Sequence, residues 1–381
     1  MPLFRLAKII RFNTLVITTL LLTLCPSNAS NFRELRESYA RHVYESYSAA
    51  HQDALALRNA ISDLLEHSDE PHLQRARSAW ITARDSYSQT EAFRFYEGPI
   101  DGLNKKTGRM GPESRINSWP VNEAYLEQDR PGQRLGIIND PSQPITATEL
   151  ATLNQQNDEA DVATGYHAIE FLLWGADHSD DGPGARPASQ FLDAPTNIRR
   201  RQYLLAVTNL LIRDLASLKT AWAPHRDNYA RAFVERDTAQ ADILTGLATL
   251  SGFEMAAERL ATGLDSGDQE DEQSCFSDTT LRDFRMNQRG IEAAFTGPHS
   301  FMERLEKEKP NLARDIQRQF SKVMSLLDAL PSPYDSAVLA APPDSDARHT
   351  AEELVTALQQ QAKLFEEVGA AYGLPVHIMS D

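Results

Sequence analysis

Gly165-Tyr166-His167-Ala168-Ile169-Glu170-Phe171-Leu172-Leu173-Trp174-Gly175 is apolar at almost every position, yet it carries a histidine and a glutamate three residues apart. Read with the residues before it, Asp158 to Trp174 has helical spacing and stops at Gly175, where a left-handed cap is wanted. At about 100° per residue, Val162, Tyr166, Ile169 and Leu173 form one apolar stripe. Ala163, Phe171, Leu172 and Trp174 cover most of the remaining circumference, so the segment predicts a buried helix. His167 and Glu170, at i and i+3, then share a face and can reach a common atom. An unpaired buried carboxylate is costly, so Glu170 has to be neutralised, hydrogen-bonded or bound to a cation. Either an arginine from a neighbouring helix holds Glu170 and His167 is an ordinary core histidine, or the two are ligands of a metal between helices. His-x-x-Glu alone does not choose between them.

The rest of the chain is helical in pattern. Leu35, Tyr39, Val43, Ala50, Ala54, Leu57, Ile61 and Leu64 keep a 3.6-type rhythm through a long first helix. Pro71 suits the first turn of a second helix running towards Glu97, with Asp69 and Glu70 at its positive end. Thr146-Ala147-Thr148-Glu149 reads as a capping box on the way to the His167 helix. Further apolar faces run through Leu204 to Trp222, Leu244 to Leu250, Leu312 to Leu327 before Pro331, and Leu354 to Tyr372 before Gly373. No alternating strand pattern stands out, and the class is all-α.

Residues 1–29 read as an export signal. Arg5, Lys8 and Arg11 precede the apolar run Leu15–Leu24, and Ser27-Asn28-Ala29 offers a cleavage site before Ser30. The run is short for a membrane span and nothing like it recurs, so a periplasmic protein with no integral span after cleavage is expected. Cys25 raises a lipid-anchored alternative, which Leu24 and Pro26 fit poorly. Losing three positive charges moves the formal charge from −16 to −19. Such acidity argues against nucleic acid and anionic membrane as partners. Cleavage would leave Cys275 as the sole thiol and no intrachain disulfide, so the fold must rest on its apolar core.

Two irregular regions are long enough to carry function. Gly98–Pro144 contains Arg115-Ile116-Asn117-Ser118-Trp119-Pro120, whose Trp119 is expected to anchor the loop to the bundle. Asp265–Asp283 is rich in acids and reads as a solvated linker with a helix N-cap at Ser277 or Asp278. Asp177–Pro195, rich in Gly, Pro and Asp, is the natural boundary between a bundle of residues 30–188 and one of residues 189–381. Trp80, Tyr87 and Glu91 project together in an apolar setting. Glu91 either pairs locally with Arg84 or Arg94, or supplies a second carboxylate beside His167 and Glu170, completing a facial set that suits iron or zinc. Leu247, Ser251, Glu254 and Glu258 share a face in the second half. Glu254 or Glu258 would pair with Arg259 or Arg282, or point into a cleft between the bundles.

Several segments together resemble the imelysin family, whose members are also described as imelysin-type peptidases and iron-regulated envelope proteins. They are Trp80–Asp101 (WITARDSYSQTEAFRFYEGPID), Arg115–Pro120 (RINSWP) and Gly165–Gly175 (GYHAIEFLLWG), with Gly252–Asp283 (containing DQEDEQSCFSDTTLRD) similar to the iron-regulated branch. The resemblance implies two helical bundles with a site in the cleft between them. It makes His167 and Glu170 the hallmark Gly-x-His-x-x-Glu pair and places Glu91 in the family's Thr-Glu-Ala-Phe segment. Through the family's relation to a helical periplasmic component of ferrous-iron uptake, it implies a divalent metal, iron first and zinc second, and envelope iron-transport components as partners. Glu254, Asp278, Arg94 and Trp119 are further cleft candidates. A zinc peptidase would ordinarily show His-Glu-x-x-His, which this chain lacks, so peptide hydrolysis is the alternative function. A non-catalytic bundle holding polysaccharide or peptide, with Trp119 and Trp174 as contacts, is a third.

Overall fold

The computed structural model describes residues 32–104, 107–130, 133–177 and 182–378 of the 381-residue chain. The expected export signal and Cys25 lie outside the described residues. Helix α1 (Arg33–Glu66) buries Leu35, Tyr39, Val43, Tyr47, Ala50, Ala54, Leu57, Ile61 and Leu64, at steps of three and four. Each fully buried large aliphatic on that stripe stabilises the fold by roughly 1.5–3 kcal/mol relative to exposure. Helix α2 (Glu70–Ser88) packs along α1 and opens as expected, with the Asp69 carboxylate accepting from the His72 N–H and Pro71 in the first turn. It ends well before Glu97. The Thr90 hydroxyl donates to the Tyr87 carbonyl, a local bond that competes with the α ladder, and Gln89–Phe93 tightens into a 3₁₀ turn.

The region after Gly98 is not structureless. It holds the hairpin β1 (Leu103–Asn104) with β2 (Arg109–Met110), helix α3 (Glu113–Asn117), helix α4 (Glu123–Leu126) and the hairpin β3 (Gln128–Arg130) with β4 (Gln133–Leu135). Strands of two and three residues are too short for alternation to betray them. Helix α5 (Ala147–Leu153) starts on the Thr146 hydroxyl, which accepts from Glu149 N–H, but the Glu149 carboxylate takes the Gln143 amide instead of closing the box.

Helix α6 (Gly165–Trp174) is buried at all ten positions. It begins seven residues later than the sequence suggests, because the Asn154 side chain accepts from the Ala163 and Thr164 N–H groups and holds that approach outside the helix. Gly175 has positive φ (81°) but ψ −178°, so it closes the helix without the left-handed cap. Helix α7 (Ile198–Trp222), beyond the expected boundary, packs on α1 and α6. Helix α8 (Tyr229–Glu235) follows. Helix α9 (Ala239–Thr249) runs unbroken into a π-helix, Leu250–Ala261, and then helix α10 (Thr262–Ser266). Helix α11 (Thr280–Phe295) lies against α2 and the 3₁₀ turn. Helices α12 (Phe301–Glu308), α13 (Pro310–Ala329) and α14 (Asp346–Tyr372) complete the bundle, α14 closing on Gly373 in a left-handed cap (φ 67°) and packing on the π-helix. The protein is all-α, and its buried apolar side chains form one continuous cluster from Phe32 to Val368. Among the described residues no helix is long and apolar enough to cross a membrane.

Candidate metal centre

Helix α6 is fixed at its start by three hydrogen bonds from aromatic side chains. Trp80 Nε1 donates to the Tyr166 carbonyl (2.9 Å), the Tyr166 hydroxyl donates to the Ala83 carbonyl (3.1 Å), and the Tyr203 hydroxyl donates to the Ala163 carbonyl (2.7 Å). Gly165, at φ +87°, lets this end sit directly on α3: a Cβ there would lie 2.4 Å from the Ile116 carbonyl oxygen. The ring and the acid of the motif are thereby held in place, and they meet each other. His167 Nδ1 lies 2.8 Å from Glu170 Oε2, with both residues buried. Glu170 Oε1 accepts from the Ser277 N–H (3.0 Å) and hydroxyl (2.6 Å). Ser277, read from the sequence as a helix cap, therefore reaches into the core, and α11 starts later, at Thr280, without a side-chain cap. Both Glu170 oxygens are taken, and none of these partners is an arginine.

Protonation follows from burial. Burial pushes the His167 imidazole well below its ordinary value, and the nearby Arg84 and Arg259 charges push it further, with Glu91 opposing. Burial pushes the Glu170 carboxyl well up, the Ser277 hydroxyl opposing and Asp283 adding to the rise. Burial thus disfavours the charged form of each group, and the Ser277 N–H and hydroxyl are the donors that favour the carboxylate of Glu170. Among the described residues, His167 Nε2 is buried and has no hydrogen-bond partner.

Glu91 lies in the same interior but is otherwise engaged. Arg259 Nη2 donates to its Oε2 at 2.5 Å, and the Asn287 and Asn117 amides and Arg94 also donate to it, at 3.0, 3.2 and 3.3 Å. Burial alone would raise this acid; Arg259, Arg84 and Arg94 hold it at about 2. Arg84 pairs with Asp283 (3.1 Å) and donates to Asn117 Oδ1. Glu254 and Arg94 join the network: Arg259 pairs with Glu254 (2.7 Å), and Arg94 with Glu113 (3.1 Å) and Glu254 (3.7 Å). Arg282 instead pairs with Asp85 (2.6 Å), and Glu258 is exposed.

The remaining candidates lie in the acidic segment. Asp278, at φ +54°, is pushed up to about 7 by burial and by Asp335 and Asp177. Trp119 anchors its loop to that segment, its Nε1 donating to the Glu272 carbonyl (2.8 Å). Burial, with Glu170 and Glu272 nearby, pushes the Cys275 thiol well up, so it is no activated thiolate. Among the described residues no three His, Cys, Asp or Glu side chains stand in position to hold a metal ion. Sequence reasoning missed Asn117, Asn287, Gln273, Asp283 and the inward reach of Ser277, and it weighed Arg259 only as a partner for Glu254 or Glu258.

The model of the family described as imelysin matches residues 43–365. The chain belongs to the imelysin family. It is 26% identical over 335 residues to iron-regulated protein A of Synechococcus elongatus, covering 83% of this chain and 80% of that protein. Two crystal structures share the fold. A Parabacteroides distasonis chain described as an iron-regulated protein A precursor superposes with a TM-score of 0.67, over 88% of this imelysin and 95% of the other, at 16% identity. An imelysin-like protein from Psychrobacter arcticum gives 0.65, over 91% and 98%, also at 16% identity.

Proposed function

We propose that this imelysin is an iron-binding protein of the cell envelope that captures iron or hands it on, with His167, Glu170 and Glu91 as its centre. The observation that carries the reading is the buried, unpartnered His167 Nε2, whose opposite nitrogen is fixed by Glu170. Histidines that bind metals are typically oriented this way, the second ring nitrogen bonded to a carboxylate that sets tautomer and direction. A neutral imidazole is the form that binds metal, and burial beside Arg84 and Arg259 keeps His167 in it. In this reading His167 contributes the nitrogen donor, Glu170 orients the ring, and Glu91 contributes oxygen once it leaves Arg259. The name of the Synechococcus relative supports iron as the cargo.

The test is Fe²⁺ binding by the chelator-stripped protein under anaerobic conditions. The wild type is expected to take up iron at a defined stoichiometry and His167→Ala to lose it. Glu170→Gln should bind more weakly, by about 10–100-fold, as expected for a lost orienting partner. Unchanged binding in His167→Ala refutes the assignment. Peptide cleavage that stops with chelator and returns with Zn²⁺ would favour a peptidase instead.

A further inference from the structure

The guanidinium of Arg259 is buried and surrounded by oxygen. Its Nη atoms lie 2.5 and 3.5 Å from the two Glu91 oxygens, 2.7 Å from Glu254 Oε1, 3.1 Å from Gln273 Oε1 and 3.0 Å from Asn287 Oδ1. Two carboxylates and two amide oxygens make the donor set that hard dications use. Three further observations set it apart from an ordinary buried ion pair. First, Arg259 and Glu254 sit on the π-helix, whose i→i+5 bonding brings residues five apart together, as an α-helix would not; such segments are frequent at functional sites. Second, the unpartnered His167 Nε2 belongs to a ring that feels the charges of both Arg259 and Glu91. Third, the surrounding network is short of cations. Four carboxylates (Glu91, Glu113, Glu254, Asp283) face three guanidiniums (Arg84, Arg94, Arg259), so withdrawing Arg259 leaves a formal excess of two negative charges. Arg94, Glu254 and Glu113 are partly exposed while Glu91 and Arg259 are not, which gives the cage an outer rim.

We propose that Arg259 is a displaceable internal counter-ion: an incoming hard dication takes the place of its guanidinium among Glu91, Glu254, Gln273 and Asn287, beside His167 Nε2. The inference rests on the metal-binding reading above and adds how the centre stays closed and charge-balanced without its cargo. It also accounts for the lack, among the described residues, of a ready three-residue metal set, since Glu91 and Glu254 are held by the arginine until it leaves.

The test compares Mn²⁺ binding, a redox-stable probe, in the wild type, Arg259→Met and Arg259→Lys. Methionine removes the charge at similar length; lysine keeps it while losing the fork that holds both carboxylates. Arg259→Met is expected to bind Mn²⁺ at least about tenfold more tightly than wild type. Its thermal stability, lowered without metal, should recover with Mn²⁺, and adding Glu91→Gln should remove the gain. Arg259→Lys should show a smaller gain of the same sign and serves if the methionine variant does not fold. In the wild type, Mn²⁺ loading should speed hydrogen exchange across Leu250–Ala261. If the wild type binds Mn²⁺ through His167 but neither variant binds it more tightly and exchange is unaltered, the counter-ion proposal is overturned and the metal-binding reading stands. If none of the proteins binds Mn²⁺ or Fe²⁺, both fall.

Discussion

Gly165→Ala is the smallest change that disturbs the centre without removing a polar group. At φ +87° a residue bearing a Cβ is strained by roughly 1–2 kcal/mol. The added methyl would also meet backbone rather than a side chain able to rotate away: the Ile116 carbonyl oxygen at 2.4 Å, its carbon at 2.7 Å and the Arg115 oxygen at 3.0 Å. Restoring van der Waals distance requires α6 and α3 to separate by roughly 1 Å, an overpacking that costs about 1–3 kcal/mol. The two effects together destabilise the protein by roughly 2–5 kcal/mol, a large share of the 5–15 kcal/mol typical of a folded domain. Urea unfolding followed by circular dichroism measures the loss, and Tm should fall by at least roughly 4 °C. Gly297→Ala separates the contributions. Gly297 has φ +102°, and a methyl added there would meet no described atom within 4 Å, so it should show the backbone strain alone. A Gly165→Ala protein within about 0.5 kcal/mol of wild type, or no worse than Gly297→Ala, would refute the claim that α6 is seated rigidly on α3.

Asp283→Asn leaves Arg84 buried without its charge partner and should cost about 3–5 kcal/mol in denaturant unfolding; a loss below about 1 kcal/mol would mean that Asn117 alone satisfies Arg84. Asp278 has its acid raised to about 7 in the folded protein, so the folded state holds a proton that the unfolded chain gives up, and stability declines as pH climbs from the ordinary carboxylate range to about 7. Asp278→Asn, which also tolerates the positive φ, should remove that decline in a series of Tm measurements against pH. Glu127 behaves oppositely: burial would raise its acid, but the Arg200 hydrogen bond and the Arg186 charge hold it below its ordinary value. Its contribution is present above the ordinary carboxylate range and lost as pH falls through the depressed value, so Glu127→Gln should flatten the loss of Tm below about pH 5.

Much of the fold could be read from apolar periodicity, because the stripes of α1, α13 and α14 face a single core and nothing local competes with them. Where reading failed, a side chain bonded to backbone had overruled the pattern: Asn154 holding Ala163 and Thr164 out of α6, and Thr90 shortening α2. The centre was legible only in part. His167 and Glu170 are local in sequence and showed themselves as polar residues on an oily helix. Arg259, Asn287 and Ser277 reach the centre across sequence separations of about a hundred residues or more, which spacing cannot reveal. The π-helix was illegible for a different reason. Ser251, Glu254 and Glu258 fit an α face, and only the change of period turns Arg259 inward beside Glu254 and leaves Glu258 exposed.

The unpartnered imidazole nitrogen bears most directly on what the centre is for. Leaving a buried polar atom without a partner costs roughly 1–3 kcal/mol, and a core histidine kept only for packing could be replaced by an apolar residue of similar shape at little or no cost. Here the surroundings supply donors generously: Asn117, Asn287 and three guanidiniums crowd the same interior, yet they satisfy Glu91 and Asp283 and leave His167 Nε2 alone. Burial and the Arg84 and Arg259 charges also disfavour protonation of the ring. A histidine whose charged form is disfavoured, whose Nδ1 is fixed by Glu170 and whose Nε2 has no partner among the described residues is the arrangement that the proposed cation site requires. On that proposal, the oxygens that would accompany the ring are the Glu91, Glu254, Gln273 and Asn287 atoms that Arg259 now holds.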